Sequence, residues 1–547
     1  MKLKPEETPE CDVLIIGGGG AGLRSAIAAR LNNANVLMAS KSRIGHSTNT
    51  YISKAVIAAS GWGDPGDNEN VHTTDTIRGG RFLNDQAMVA RIAERVSSEI
   101  DFLKECGVNW GMEEGRPRVL KLPGHKHPRH VHGENWTGSD LILPLRRRAK
   151  EIGVHFREHV FITRLLASEG RITGAAGITP DGSFLAIKAK IVILATGGYA
   201  QIFLNTNNAA GITGDGHALC YDLGISLKDM EFVQFYPTAM GRRGSRLLLY
   251  EKMLAQKGVV LKNGAGEDII RKNGFADSTS MTRDQLAQLI IKEIRNDSAG
   301  KQSVIMDIGS LSEEKAGQLK QLLPPAWWKG QKAYEVAPTA HFCMGGVVTD
   351  QWGETSLGGL FAVGEVTGGA HGANRLGGNA LAEVFAMGSL VGTKAGELAA
   401  KIGTTPLVQE EADSEKLRLE EAFSDQGPSP KELIRELKTL MWNKVGIIRE
   451  KNEVEEALGV IRGNWDRASA ATPADLIRLS EFRNMRLVAE MVCKAALKRT
   501  ESRGSHFRTD YPGEDNDLWL KNIVFRKGDA GMEAEAEPVH HDLVEPS

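Results

Sequence analysis

Four short apolar runs stand out along the chain, at Val13 to Ile16, Asn35 to Ser40, Ile191 to Tyr199 and Leu360 to Glu365, with long mixed segments between them. Their shortness, and the glycine or polar residues that bound them, predict buried strands. The first run passes directly into a glycine cluster and an Ala-rich segment that reads as a helix. Toward the C-terminus the period changes. Leu433, Leu437 and Leu440 recur at helical spacing, and Thr472, Pro473 and Asp475 supply an N-cap, a first-turn proline and a capping acid ahead of another apolar-periodic segment. The last twenty or so residues, rich in Glu and Ala with His540 and His541, read as a solvated tail, and Arg146 to Lys150 as a solvated helix face. There is no internal repeat, no apolar run long enough to span a bilayer, and no apolar signal core in MKLKPEETPE.

Gly17, Gly19 and Gly22 stand in G-x-G-x-x-G spacing between predicted strand and helix. The first permits a tight turn, the second a close approach of backbone to pyrophosphate, and the third close packing of helix on strand, with phosphates facing the helix N-terminus. This predicts a dinucleotide site. The second strand ends at Ser40 and Lys41, where a ribose-binding acid is expected, and that departure alone does not choose between FAD and NAD. The stretch Thr339 to Gly388 brings in a histidine, an arginine and a second glycine cluster, so the nucleotide domain is assembled from segments far apart in sequence.

At 547 residues, 41% hydrophobic and 25% charged, the chain can form two or three domains. A formal net charge of -2 gives no sign of nucleic acid or an anionic membrane as partner. Cys11, Cys106, Cys220, Cys343 and Cys493 are scattered without a C-x-x-C pair, which argues against a disulfide framework or an iron-sulfur cluster on this chain and favours a reduced, cytoplasmic setting.

Taken in order, the motifs resemble those of the flavoprotein subunits of succinate dehydrogenase and fumarate reductase, together with L-aspartate oxidase. The matching stretches are the glycine motif, Ser40-Lys41, Gly124-His125 to His132, Ala195 to Gly198, Met230 to Thr238 (MEFVQFYPT), His341 to Gly346, Gly372 to Gly378 (GANRLGG) and Glu501 to Pro512 (ESRGSHFRTDYP). The resemblance implies an α/β FAD-binding domain of Rossmann type, split into residues 1–225 and 339–405. An α+β capping domain (226–338) would be inserted, a helical domain (406–525) would follow, and 526–547 would be a disordered tail. FAD would be held by Gly17, Gly19, Gly20, Ala21, Gly22, Ser40, Lys41, Ser47, Thr48, Ala195, Thr196, Gly197, Gly198, Asp215, Gly364, Glu365, Asn379, Ala380 and Leu381.

The implied chemistry is hydride transfer at flavin N5 to or from a carbon beside a carboxylate, which asks the protein for a carboxylate clamp and a second proton. In the family the clamp includes a histidine before M-G-G, an arginine in A-N-R-L-G-G, a histidine in Q-F-H-P-T and a threonine-glutamate pair. His341, Arg375 and Glu251 match three of these. Tyr236 replaces the second histidine and Tyr250 the threonine. Leu254 falls on the arginine of R-G-E-G-G, to which the resemblance assigns the proton shuttle. Leucine cannot donate a proton, so Tyr236, Tyr250 and Lys257 become the candidate sources. The same replacements imply a bulkier, less cationic pocket, suited to a substrate larger than fumarate.

Relatives that oxidise succinate often attach FAD through a histidine in S-H-T. Here Thr48 falls on that position and His46 two residues early, so noncovalent FAD is expected, with attachment through His46 as the alternative. The A-x-G-G that follows is altered to Ser53, Lys54 and Ala55. His125, His127, His130 and His132 alternate in a way that suits structural zinc poorly, and no metal is expected. Arg503, His506 and Arg508 are expected in interdomain packing or partner contacts. The expected function is an FAD-dependent oxidoreductase acting on the C-C/C=C bond of a small carboxylate. It would exchange electrons with an iron-sulfur subunit, without nucleic acid, and reach a membrane only through a partner. The alternatives are amino-acid oxidation of the L-aspartate oxidase kind and a non-catalytic electron-transfer subunit.

Overall fold

The computed structural model describes residues 2–546 apart from 242–247, 250–257, 277–280, 282, 298–299, 321–330, 404–407, 425, 464 and 466–467. The first apolar run forms β1 (Glu10–Ile16), which passes through the glycine turn into α1 (Gly20–Leu31) and pairs in parallel with β2 (Val36–Ser40). β3 (His155–Glu158) extends the sheet beyond β2. β4 (Phe161–Ser168) and β5 (Arg171–Ile178) run antiparallel into β6 (Ser183–Leu194), which lies beside β1 with Ile191 opposite Val13. The order is therefore β4-β5-β6-β1-β2-β3. The centre of this sheet is apolar on both faces because both are covered, and Val13 to Ile15 and Ile191 to Leu194 are fully buried.

The cap is a four-stranded antiparallel sheet built from β7 (Val233–Met240), β8 (Val260–Lys262), β9 (Val304–Asp307) and β10 (Ala333–Cys343), in the order β7-β10-β9-β8. Helix α2 (Arg283–Arg295) packs on it through Leu286, Leu289 and Ile290. The domain limit expected at residue 338 falls inside β10, which runs unbroken from the cap toward the cofactor domain and carries His341. β11 (Leu360–Ala362) then returns to pair with β6, and α3 (Asn379–Ala399) packs against α1.

Helices α4 (Gln409–Glu421), α5 (Pro430–Val445), α6 (Lys451–Arg462) and α7 (Pro473–Lys498) follow. Ser429 and Glu432 form a capping box at α5, and Thr472 accepts a hydrogen bond from Asp475 N at the start of α7, as its sequence signature predicts. Leu433 and Leu437 are buried, and Leu440 packs at the edge of the same cluster.

The C-terminal segment is not a solvated tail. β12 (Lys521–Gly528) and β13 (Gly531–Pro538) form a hairpin, and β12 joins a sheet with residues 227–228. Ile523 and Phe525 are fully buried, and Met532, Ala534 and Ala536 pack toward the core while Glu533, Glu535 and Glu537 alternate with them. The Glu/Ala composition that looked disordered is a period-two strand pattern. Beyond the hairpin, the backbone N–H groups of Leu543 and Val544 both donate to Gln86 Oε1, at 2.8 and 2.9 Å. Among the described residues no helix is long and apolar enough to cross a membrane.

Candidate active site

The glycine turn closes against β6. Gly17 has φ +123°, and a Cβ there would lie 2.1 Å from Ala195 O, so the strand end and the Ala195 to Gly197 segment can meet only with glycine at this position. At Gly19 a Cβ would find only Thr50 Oγ1, at 3.9 Å, and would otherwise point into open space. The chain is thus bare of side chains where a pyrophosphate would approach. Gly20 N, at the start of α1, donates to Thr50 Oγ1 at 3.1 Å.

A long cavity with about 1870 Å³ of space not filled by protein, open to solvent, runs from this turn to the cap. Its wall includes Gly17, Gly19, Gly20, Ala21, Ser40, Lys41, Ser47, Thr48, Ala195, Thr196, Gly197, Asp215, Glu365, Ala380 and Leu381 at the cofactor side, and Tyr236, His341 and Arg375 at the cap side. Gly22, Gly198, Gly364 and Asn379 back the wall rather than form it. Asn379 turns to the protein interior, where its Nδ2 donates to Thr76 Oγ1 at 2.9 Å and its Oδ1 meets His72 Nε2 at 3.0 Å. Tyr250, Glu251, Leu254 and Lys257 lie outside the described residues.

Lys41, which stands near the expected ribose acid, donates to Thr213 Oγ1, Asp215 Oδ2 and Glu481 Oε1 at 2.6 to 2.7 Å. Burial opposes its charge, but the carboxylates of Asp215 and Glu481 hold the ammonium above its ordinary range. Because Glu481 lies on α7, this ion pair also ties the helical domain to the cofactor end. Glu365 accepts from Cys343 N at 3.1 Å and from Asn49 Nδ2 at 3.0 Å, and burial pushes its carboxyl up to about 7. A long cavity with a bare glycine turn at one end fits FAD, and the residues that would hold it are those of this wall.

At the cap end, β7 and β10 bring Tyr236 and His341 together, with ring centroids 5.6 Å apart and edge to face. Tyr236 Oη donates to Leu249 O at 3.3 Å, and His341 Nδ1 meets Asn207 Oδ1 at 3.2 Å. Burial first, then the Arg375 and Arg283 cations, hold His341 well below the usual imidazole range, so its ring is neutral. Arg375 donates through Nη2 to Gln234 Oε1 at 2.9 Å and through Nη1 to Leu376 O at 3.2 Å, and its guanidinium lies 4.5 Å over the Phe342 ring. Its fork is oriented by these contacts independently of any ligand.

Two cations of the wall were not expected there from the sequence. Arg283 opens α2 and places its guanidinium 5.4 Å from the Tyr236 ring centroid. Lys54 lines the wall from the loop after the helix Asn49–Ile52. Neither carries a local signal: an arginine opening an amphipathic helix is ordinary, and only the closing of the cap on the cofactor domain makes it a site residue. They add two cations to the wall alongside Lys41 and Arg375.

The histidine-rich loop is occupied with backbone carbonyls. His125 Nε2 lies 3.0 Å and His130 Nε2 3.1 Å from Gly377 O, two residues after Arg375. Burial lowers His125 to about 2 and His130 to about 4, so both rings are neutral. His130 also faces Leu120 O through Nδ1 at 2.9 Å, and a neutral ring donates to only one of these carbonyls at a time. Arg129 is fully buried between Asp67 and Asp75. Arg503 pairs with Glu501, His506 Nδ1 accepts from Arg449 at 2.7 Å, and Arg508 pairs with Asp510, all in the C-terminal packing away from the cavity wall. His46 is not on the wall, and its ring lies 5.4 Å from that of Tyr51.

Residues 12–381 match the family model described as FAD binding domain, and residues 434–547 match that described as fumarate reductase flavoprotein C-term. A fumarate reductase (CoM/CoB) subunit of Methanothermobacter marburgensis is 34% identical, over 95% of this chain and 98% of its own. The fumarate reductase flavoprotein subunit of Escherichia coli is 30% identical, over 99% and 96%. A solved chain of E. coli quinol fumarate reductase superposes with a TM-score of 0.90 at 28% identity, covering 99% of this chain and 98% of that one. With its split FAD-binding domain, its cap and its C-terminal domain, the protein is an FAD-dependent oxidoreductase that belongs to the fumarate reductase and succinate dehydrogenase flavoprotein family.

Proposed function

We propose that this flavoprotein reduces the C=C bond of an unsaturated dicarboxylate of the fumarate class, or runs the reverse oxidation, and that its FAD is noncovalent. The observation that carries this reading is the meeting of Arg375, His341, Tyr236 and Arg283 at one end of the cofactor cavity. FAD supplies hydride transfer; the chain must bind the carboxylates and provide one proton. Arg375, with its guanidinium 4.5 Å over the Phe342 ring, offers a planar fork that matches one carboxylate. His341, edge to face with Tyr236, and Arg283, over the Tyr236 ring, line the same end of the cavity and suit the other.

The proton route is assigned to Arg283 and Tyr236 in place of the position at Leu254. Tyr236 carries the O–H that can be donated, and Arg283, 5.4 Å from its ring centroid, lines the same end of the cavity. The position of His46 off the wall supports noncovalent FAD. A separate electron-transfer protein is supported by the fact that both fumarate reductase relatives are themselves named as subunits, and an iron-sulfur protein is the partner chemistry proposed.

The test is anaerobic. The FAD-loaded protein is reduced with dithionite, and flavin reoxidation is followed on adding fumarate or a panel of bulkier unsaturated monocarboxylates. Rapid reoxidation by fumarate is expected, and in Y236F a loss of about 10²- to 10⁴-fold, the range for removing a general acid. Reoxidation only by bulkier acids would replace the dicarboxylate by a larger substrate. Reoxidation by neither would sink the reductase reading.

A further inference from the structure

Three asparagines bracket His341. Segment 205–209 runs beside β10, where Ala340 N donates to Asn205 O at 2.9 Å, Thr206 Oγ1 to Ala340 O at 3.0 Å and Asn208 Nδ2 to His341 O at 2.8 Å. Asn49 ties this segment to the cofactor side. Its Oδ1 accepts from Ala209 N at 3.0 Å, and its Nδ2 donates to Asn208 Oδ1 at 2.6 Å and to Glu365 Oε2 at 3.0 Å. Asn49, Asn207 and Asn208 all line the cavity.

These bonds fix which way each amide points, because a backbone N–H can only donate and a backbone carbonyl can only accept. The N–H of Ala209 sets the oxygen of Asn49, which leaves the Asn49 NH2 for Asn208 Oδ1. Asn208 then presents its own NH2 to His341 O and, at 3.4 Å, to Asn207 Oδ1. Asn207 is left with its oxygen toward the imidazole, 3.2 Å from Nδ1. An amide oxygen accepts, so the ring carries its proton on Nδ1. His341 Nε2 has no hydrogen-bond partner among the described residues, and the ring lines the cavity.

Around the ring, among the described residues, stand Arg375 from the loop before α3, Arg283 from α2 and Tyr236 from β7. Burial and the two cations keep the imidazole neutral, as described above. A neutral ring with its proton on Nδ1 meets a carboxylate with a lone pair at Nε2, and the two repel. An anion bound beside the cations offsets the field that disfavours the imidazolium, and Nε2 can then take up a proton and donate it in a hydrogen bond.

We propose that Asn207 is a positioning residue for His341: its amide oxygen holds the ring proton on Nδ1 and leaves Nε2 bare on the cavity wall, so that an anionic substrate is clamped there only with uptake of one proton. This inference rests on the reading of the cap end as a carboxylate site.

The experiment uses the full-length protein loaded with oxidised FAD, which binds fumarate without reducing it. Carboxyl groups titrate near about 4, so fumarate is a dianion throughout roughly pH 6 to 7. Calorimetry in two buffers of different protonation enthalpy counts the protons taken up on binding, and gives Kd against pH. Wild type is expected to take up about one proton per fumarate, with Kd rising about tenfold over that unit of pH. N207A lets the ring carry its proton on either nitrogen, so uptake should fall below about half a proton and the rise in Kd below about threefold. H341Q, which does not titrate, should take up none. N207L carries the comparison if N207A does not fold. Binding to wild type without proton uptake overturns the proposal and leaves the dicarboxylate substrate standing, and so does full uptake by N207A. Proton uptake with a bulkier monocarboxylate, but no binding of fumarate, would sink the proposed substrate and support the role of Asn207. A wild type that binds no carboxylate overturns both.

Discussion

Replacing Glu365 by glutamine should reverse the sign of its effect on stability between acid and alkaline pH. In the apoprotein the carboxyl is buried, accepts from Cys343 N at 3.1 Å and Asn49 Nδ2 at 3.0 Å, and burial raises it to about 7 from an ordinary 4.5. A carboxyl raised on folding lends its full stability below the unfolded value, and that contribution is lost as pH climbs through the folded one. The loss over roughly pH 4.5 to 7 is at most about 3.5 kcal/mol, from about 1.4 kcal/mol per unit. Glutamine does not titrate, but its amide NH2 cannot accept from Asn49 Nδ2, which leaves two donors face to face and costs about 1–3 kcal/mol. At pH 5, E365Q should therefore be less stable than wild type by about that amount. By pH 8 the order should be reversed, because the loss in wild type then exceeds that cost. Asp229, buried beside Glu231 and also raised to about 7, titrates in the same window but is present in both proteins and cancels in the difference. Urea unfolding of both apoproteins at four pH values measures the gap. Parallel stability curves would refute the assignment of a raised carboxyl to Glu365.

Two further perturbations test other parts of the structure. G17A places a methyl against Ala195 O at φ +123°, and should weaken FAD binding about 10- to 100-fold through ~1–3 kcal/mol of strain, read by retention of flavin absorbance on dilution. F525A removes a fully buried ring from β12, and should cost about 3–5 kcal/mol in thermal or urea unfolding, whereas a residue in a solvated tail would cost less than about 0.5 kcal/mol.

The apolar runs, the glycine spacing and the capping residues at Thr472 and Pro473 were legible in the sequence because each is a local pattern with a local cause: a buried strand, a turn that tolerates no side chain, a helix start that needs an acceptor. The split of the cofactor domain was legible through the order of its motifs. His341 and Arg375 could be named because their flanking glycines and apolar residues form recognisable strings. The hairpin at residues 521–538 was missed because Glu and Ala dominate its composition, and only the alternation of Met532, Ala534 and Ala536 against buried Ile523 and Phe525 shows a strand.

What only the tertiary structure decided is which charges share the cavity. Arg283 is far in sequence from Tyr236 and from Arg375, and becomes a site residue because β7 and β10 hold the cap sheet, with α2 on it, over the open end of the cofactor domain. Lys54 faces the same space because hydrogen bonds to Gly133 and Gly138 brace its loop. Gly377 takes its place because two neutral histidines from a distant loop converge on its carbonyl. Local patterns specify elements through backbone preference and burial; the electrostatics of a site depends on distances across the fold, which no short stretch of sequence encodes.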